Sequence, residues 1–142
     1  MAVKIPLGFL KIFHFIGLML GGGAGFGLML LAPALRRADA AGKAALMPLR
    51  PKLANLGLLG IVLLWISGLG MAFMVGSYGL SGLWFGLKML AAAGVLALAI
   101  FGFVMRRRAA AGQAVPAYAL KIGILASPLS VLAVILAVLA FN

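Results

Sequence analysis

The sequence predicts an all-α integral membrane protein, a single bundle of four transmembrane helices over residues 1–142, and three observations carry that prediction. Apolar residues fill 66% of the 142 positions, and mean hydropathy is +1.28. Only 9% of residues are charged, roughly a third of the globular share, and a soluble domain of this size has no way to hide the apolar remainder. The apolar residues also fall in four long runs, at about 6–32, 53–76, 83–105 and 118–141. Each run meets the ~20 residues that cross a ~30 Å hydrocarbon core. None alternates in polarity, so helices rather than β-spans are expected.

The first run follows Lys4 and extends well past the apolar core of a cleavable signal, so it is expected to stay in the membrane. The first gap, "PALRRADAAGKAALMPLRPK" (33–52), carries five basic residues and Asp39. Its Ala-rich middle predicts a short interfacial helix stopped by Pro48 and Pro51. The second gap, "GSYGLSG" (76–82), is short, uncharged and glycine-rich. The third, 106–117, opens with Arg106, Arg107 and Arg108. Basic loops stay in the cytoplasm, so gaps one and three are expected there and gap two outside. Both termini then face the periplasm or exterior of a multi-pass protein of the bacterial inner membrane. Short connections make sequence neighbours antiparallel.

Charge and residue inventory exclude several functions. Twelve Lys and Arg stand against one acid, Asp39, for a net charge of +11. The basic residues border the apolar runs, where they anchor loops to anionic headgroups. No polar surface remains to carry a nucleic-acid site, so nucleic acid is not an expected partner. The chain has no cysteine, which removes disulfides and thiolate chemistry. Paired carboxylates, a Ser-His-Asp set and a phosphate loop are also missing, so hydrolysis is excluded. Redox chemistry would need a bound cofactor.

Polar residues inside spans are costly and usually face the bundle interior, which makes them functional candidates. They are Lys11, His14, Asn55, Ser67, Lys88, Ser127 and Ser130. With the N-terminus outside, His14 lies ~12 Å below the entry of the first helix and Lys88 ~8 Å below that of the third, a shared layer. Lys11 can join it or snorkel outward. His14, Gly21 and Gly25 fall nearly on one line, and Gly17 flanks it to complete a Gly17-Gly21-Gly25 ladder. Such a ladder has two readings. It brings a second helix close, or it leaves a flat slot for a planar ligand. His14 likewise reads as a hydrogen bond to a neighbouring helix, as a haem or other metal ligand, or as a proton relay. Lys88 reads as a snorkelling anchor or as a functional cation.

Three stretches carry a family resemblance. "LKIFHFIGLML" resembles the opening helix of the HemJ-type protoporphyrinogen oxidases and the related CopD-like four-helix membrane proteins. "GLWFGLKMLAAAGVLALA" resembles the start of their third helix, where a lysine follows an aromatic pair. "MPLRPKLANLGLLGIVLLWISGLGMAF" is similar in layout to their basic loop and second helix. The resemblance implies that His14 and Lys88 are functional, and it implies a haem b cofactor and protoporphyrinogen IX as substrate. His14 would be the metal ligand. Lys88 and Lys11 would pair with propionates, and Gly17, Gly21 and Gly25 would give the tetrapyrrole clearance. The chain departs from the family after His14, where "GGGAGFGLMLLAPAL" lacks the polar and tryptophan side chains found there.

Two functions therefore lead, ahead of a transporter or channel, for which four short helices with almost no polar lining make a poor pore unless the protein oligomerises. One is a haem- or porphyrin-handling membrane protein, which as an enzyme would be a haem-dependent oxidoreductase. The other is a non-catalytic accessory subunit that works as a homo-oligomer or inside a larger membrane complex.

Overall fold

A computed structural model describes residues 4–75, 82–116, 118, 129, 131, 132 and 135, and every regular element among them is helical. Helix α1 spans Lys4–Arg37, α2 Ala40–Leu46, α3 Leu49–Val75 and α4 Gly82–Ala110. Three of them, α1, α3 and α4, are long and apolar enough to cross a membrane. Their outward side chains are large and apolar: Phe73 is 86% exposed and Met19 75%. A folded chain leaves such surface uncovered where its solvent is hydrocarbon. The fourth expected span, 118–141, lies mostly outside the described residues, as does the gap 76–81 with Tyr78. Ser127, Ser130 and Lys121 also lie outside, and so does the Trp84 side chain. The isolated described residues there, Tyr118, Leu129, Val131, Leu132 and Ile135, are helical.

The expected loop 33–52 proves largely helical. Helix α1 continues through Pro33 to Arg37. Pro33 cannot donate to the carbonyl one turn back and its ring crowds that carbonyl, yet the helix runs on and closes with Ala38 N–H donating to Ala34 O at 3.0 Å. Arg36 and Arg37 complement the negative end of the helix dipole.

The Ala-rich segment does form the short helix α2. Asp39 caps it, its Oδ1 accepting from Gly42 N–H at 2.8 Å. The chain's only acid is thereby committed to an exposed N-cap, with a worth of about 1 kcal/mol. Met47 N–H donates to Lys43 O at 2.9 Å to end the helix before Pro48. Pro51 does not act as a stop. It sits in the first turn of α3, where a missing N–H costs nothing.

Helix α4 also outlasts its apolar run, ending at Ala110. Gly112 takes φ +72°, Gly112 N–H donates to Ala109 O at 3.1 Å, and Gln113 N–H donates to Arg108 O at 3.0 Å. Those two bonds form a Schellman cap, whose left-handed residue is ordinarily glycine.

The chain divides into two compact units, Met1–Gly68 and Leu69–Asn142. In the first, α1 and α3 cross antiparallel and pack along a stripe of small residues. A Cβ on Gly17 would stand 2.9 Å from Gly60 O and 3.0 Å from Leu64 N. One on Gly60 would stand 2.7 Å from Gly17 O and 2.8 Å from Gly21 Cα. The two backbones therefore touch, which any side chain at either position would forbid. Ala24, only 1% exposed, faces Gly57, and Gly27 faces Leu53. Across from each other stand 14 and 67, 17 and 64, 21 and 60, 24 and 57, a steady antiparallel register on a three-four spacing. In the second unit, Leu129 fills the notch at Gly94, and the Phe101 and Tyr118 rings stack at 6.4 Å.

Candidate functional site

The register places His14 against the end of the first unit's α3 segment. His14 Nδ1 lies 3.0 Å from Ser67 Oγ. Ser67 is 2% exposed, the most deeply buried polar residue described. Its hydroxyl donates back along its own helix to Leu63 O at 2.5 Å, with Leu64 O farther off at 3.3 Å. A serine with no other use for its proton commonly bonds the carbonyl one turn earlier. Here that habit turns the oxygen's lone pairs toward the imidazole. The ring lies against Gly68, where a Cβ would meet His14 Cε1 at 3.5 Å and Nδ1 at 3.8 Å, ordinary contact distances that an alanine would also allow.

His14 sits at the edge of the helix contact rather than its centre. The crossing is centred on Gly17, one turn on and about 60° round the helix. That offset leaves the imidazole half-buried, next to a groove of about 200 Å³ lined by Leu10, Phe13, Leu63, Ile66 and Ser67. Except for Ser67, the lining is apolar.

The glycines divide by face. Gly17 and Gly21 meet α3 backbone, so their space is taken up by the helix crossing. At Gly25 a Cβ would meet no described atom within 4 Å. Its position is about 80° round from Gly17, whereas Ala24 lies on the contact side. The contact thus follows 17, 21 and 24 instead of 17, 21 and 25. Lys11, one turn before His14, is exposed.

Lys88 belongs to the second unit and His14 to the first. Lys88 is half-buried on α4, its Nζ 5.9 Å from the centroid of the Phe85 ring one turn back. That is a cation–π distance. At the other end of α4, Arg107 and Arg106 approach the Phe103 ring at 5.5 and 6.0 Å.

Ser67 is the residue whose role the sequence did not disclose. It is visible there as a polar residue in a span, but its pairing with His14 depends on register. The signal that would have found it is the spacing of Gly57, Gly60, Leu64 and Ser67, which mirrors His14, Gly17, Gly21 and Ala24 when one helix is reversed. Among the described residues no group of three or more His, Cys, Asp or Glu is placed to share a metal ion. Any metal at His14 would therefore need other ligands, as the iron of a porphyrin has. Compared with protein-family models, curated proteins and solved structures, the chain matches none.

Proposed function

We propose that this is a four-span protein of the bacterial inner membrane, both termini external, that holds haem b or a related tetrapyrrole through His14. The observation that supports the reading is the bond between His14 Nδ1 and Ser67 Oγ. A histidine that ligates a metal with one ring nitrogen almost always has the other fixed by a hydrogen bond. An imidazole so anchored, in an apolar span, has the donor chemistry of an axial haem ligand.

Size bears on how such a group would be held. The groove beside His14, about 200 Å³, falls below the ~300–1,000 Å³ of sites that enclose a ligand. The first unit would cover one edge of a tetrapyrrole, and lipid or another protein surface would cover the rest. That favours a homo-oligomer or a larger membrane complex as the working form. Bound haem would supply a one-electron centre, the chemistry protoporphyrinogen oxidation calls for. The protein's own part is to hold the imidazole through Ser67 and to keep water away with Leu10, Phe13, Leu63 and Ile66.

The test is titration of the detergent-purified full chain with haemin, read in the Soret region. The reading predicts a saturable band in the wild type, lost in His14→Ala and kept in Asp39→Ala, whose carboxylate only caps α2. A band that never saturates, or is unchanged in His14→Ala, would overturn it. The protein would then stand as a non-catalytic membrane subunit whose His14–Ser67 bond joins two helices.

A further inference from the structure

We infer that Ser67 is a positioning residue that sets the tautomer of His14, placing the proton on Nδ1 and the ring's lone pair on Nε2. A hydroxyl has one proton to give and two lone pairs to offer. Among the described residues Ser67 Oγ has three oxygen or nitrogen partners: Leu63 O at 2.5 Å, His14 Nδ1 at 3.0 Å and Leu64 O at 3.3 Å. A separation of 2.5 Å lies at the short limit for O–H···O bonds. Two oxygens that close, with no proton between them, would repel, because a carbonyl oxygen can only accept. The Ser67 proton therefore points at Leu63 O. What Oγ then presents to His14 is a lone pair, and Nδ1 must be the donor. In a neutral ring one nitrogen donates and the other accepts, so Nε2 carries the lone pair.

The surroundings hold this arrangement in place. Ser67 is 2% exposed, so water does not compete for its oxygen. The Gly17–Gly60 backbone contact lies one turn from His14 and two turns from Ser67, fixing the spacing of the two helices where the bond forms. The chain Nδ1–H to Oγ–H to Leu63 O runs in one direction, each bond polarising the next. Neutral histidine in water prefers the opposite tautomer, with the proton on Nε2. The fold thus selects the minority form, and that makes the inference open to a clean measurement.

The inference deepens the proposed role of His14, since Nε2 is the nitrogen it would offer to iron. It concerns the protein without haem, however, so its failure and the failure of haem binding are separate results. His14 is the chain's only histidine. Selective ¹⁵N labelling of histidine in the detergent-solubilised full chain therefore yields one pair of ring signals. They are recorded at about pH 8.5, two units above the ordinary imidazole value of ~6.5.

The expected spectrum of the wild type shows Nδ1 protonated and Nε2 unprotonated. In Ser67→Ala the ratio of the two tautomers should move toward Nε2–H by about fivefold, the weight of one ordinary hydrogen bond. Protonated Nε2 with bare Nδ1 in the wild type would overturn the inference, as would both nitrogens protonated at that pH. The same tautomer ratio in Ser67→Ala would overturn the part assigned to Ser67. The wild-type spectrum decides the tautomer even where the variant does not fold.

Discussion

In the first unit α1 and α3 meet backbone to backbone, while in the second unit α4 receives the side chain of Leu129 at Gly94. Both contacts rest on glycine, and both would be crowded by a methyl group. At Gly60 the atoms in the way are Gly17 O and Gly21 Cα, 2.7 and 2.8 Å from a built Cβ. At Gly94 the nearest is Leu129 Cδ2 at 2.9 Å, the far end of a flexible side chain. Backbone cannot yield without moving a helix, whereas a leucine can change rotamer. The two regions teach that a glycine's importance in a membrane helix is set by what faces it and not by the missing side chain.

The largest predicted effect follows from that difference. Gly60→Ala should cost about 3 kcal/mol, the upper range for overpacking, and Gly17→Ala nearly as much. Reversible unfolding in mixed detergent would measure both. If Gly60→Ala proved as mild as Gly94→Ala, the comparison would fail.

Next comes Ser67→Ala. It leaves His14 Nδ1–H without its oxygen in a part-buried place, at a cost of about 1–3 kcal/mol. His14→Ala should cost less in hydrogen bonding, because Ser67 keeps its bond to Leu63 O. Unfolding of both variants under the same conditions gives the order.

Helix ends should respond more weakly. Asp39→Ala removes the α2 cap and should cost about 1 kcal/mol, with faster amide exchange confined to residues 40–46. Gly112→Ala forces a left-handed conformation on alanine at about 1–2 kcal/mol, seen as fraying of the last turn of α4.

The smallest effects separate the faces of one helix. Gly25→Ala meets no described atom within 4 Å and gains helix propensity of up to ~1 kcal/mol. It should be neutral or stabilising, in contrast to Gly17→Ala eight residues earlier. Gly94→Ala should fall within about 1 kcal/mol of the wild type, propensity offsetting the shift of Leu129.

Composition made the three long apolar helices legible, because a run of ~20 apolar residues has few other uses. The short helix over 40–46 was legible too, from alanine content and the proline that follows. The helices reached farther than the hydropathy did: Pro51 sits in a first turn where a lost N–H is cheap, and α1 runs on through Pro33 despite the bond lost there. The face of α1 was legible only in part. Its glycines offer a four-four ladder through Gly25 and a three-four ladder through Ala24, and residue types alone do not choose between them. The partner helix chooses, and its Gly57, Gly60 and Ser67 fit the three-four ladder. The His14–Ser67 pair follows from that register, so it stayed hidden for the same reason. Asp39 falls within the expected loop, and its place three residues before Gly42 is that of an N-cap.

The pairing of His14 with Ser67 depends on this register, and the chain's lack of cysteine makes the register directly measurable. Ala24 Cβ and a Cβ built on Gly57 are 3.4 Å apart, close to the ~3.5–4.5 Å that a disulfide needs. The measurement is the rate of disulfide formation in the double variant Ala24→Cys/Gly57→Cys, set beside Gly25→Cys/Gly57→Cys, in detergent with mild oxidant. Rapid intramolecular bonding is expected in the first and little in the second. Faster bonding through position 25 would contradict it, and would take the pairing of His14 with Ser67 down with it.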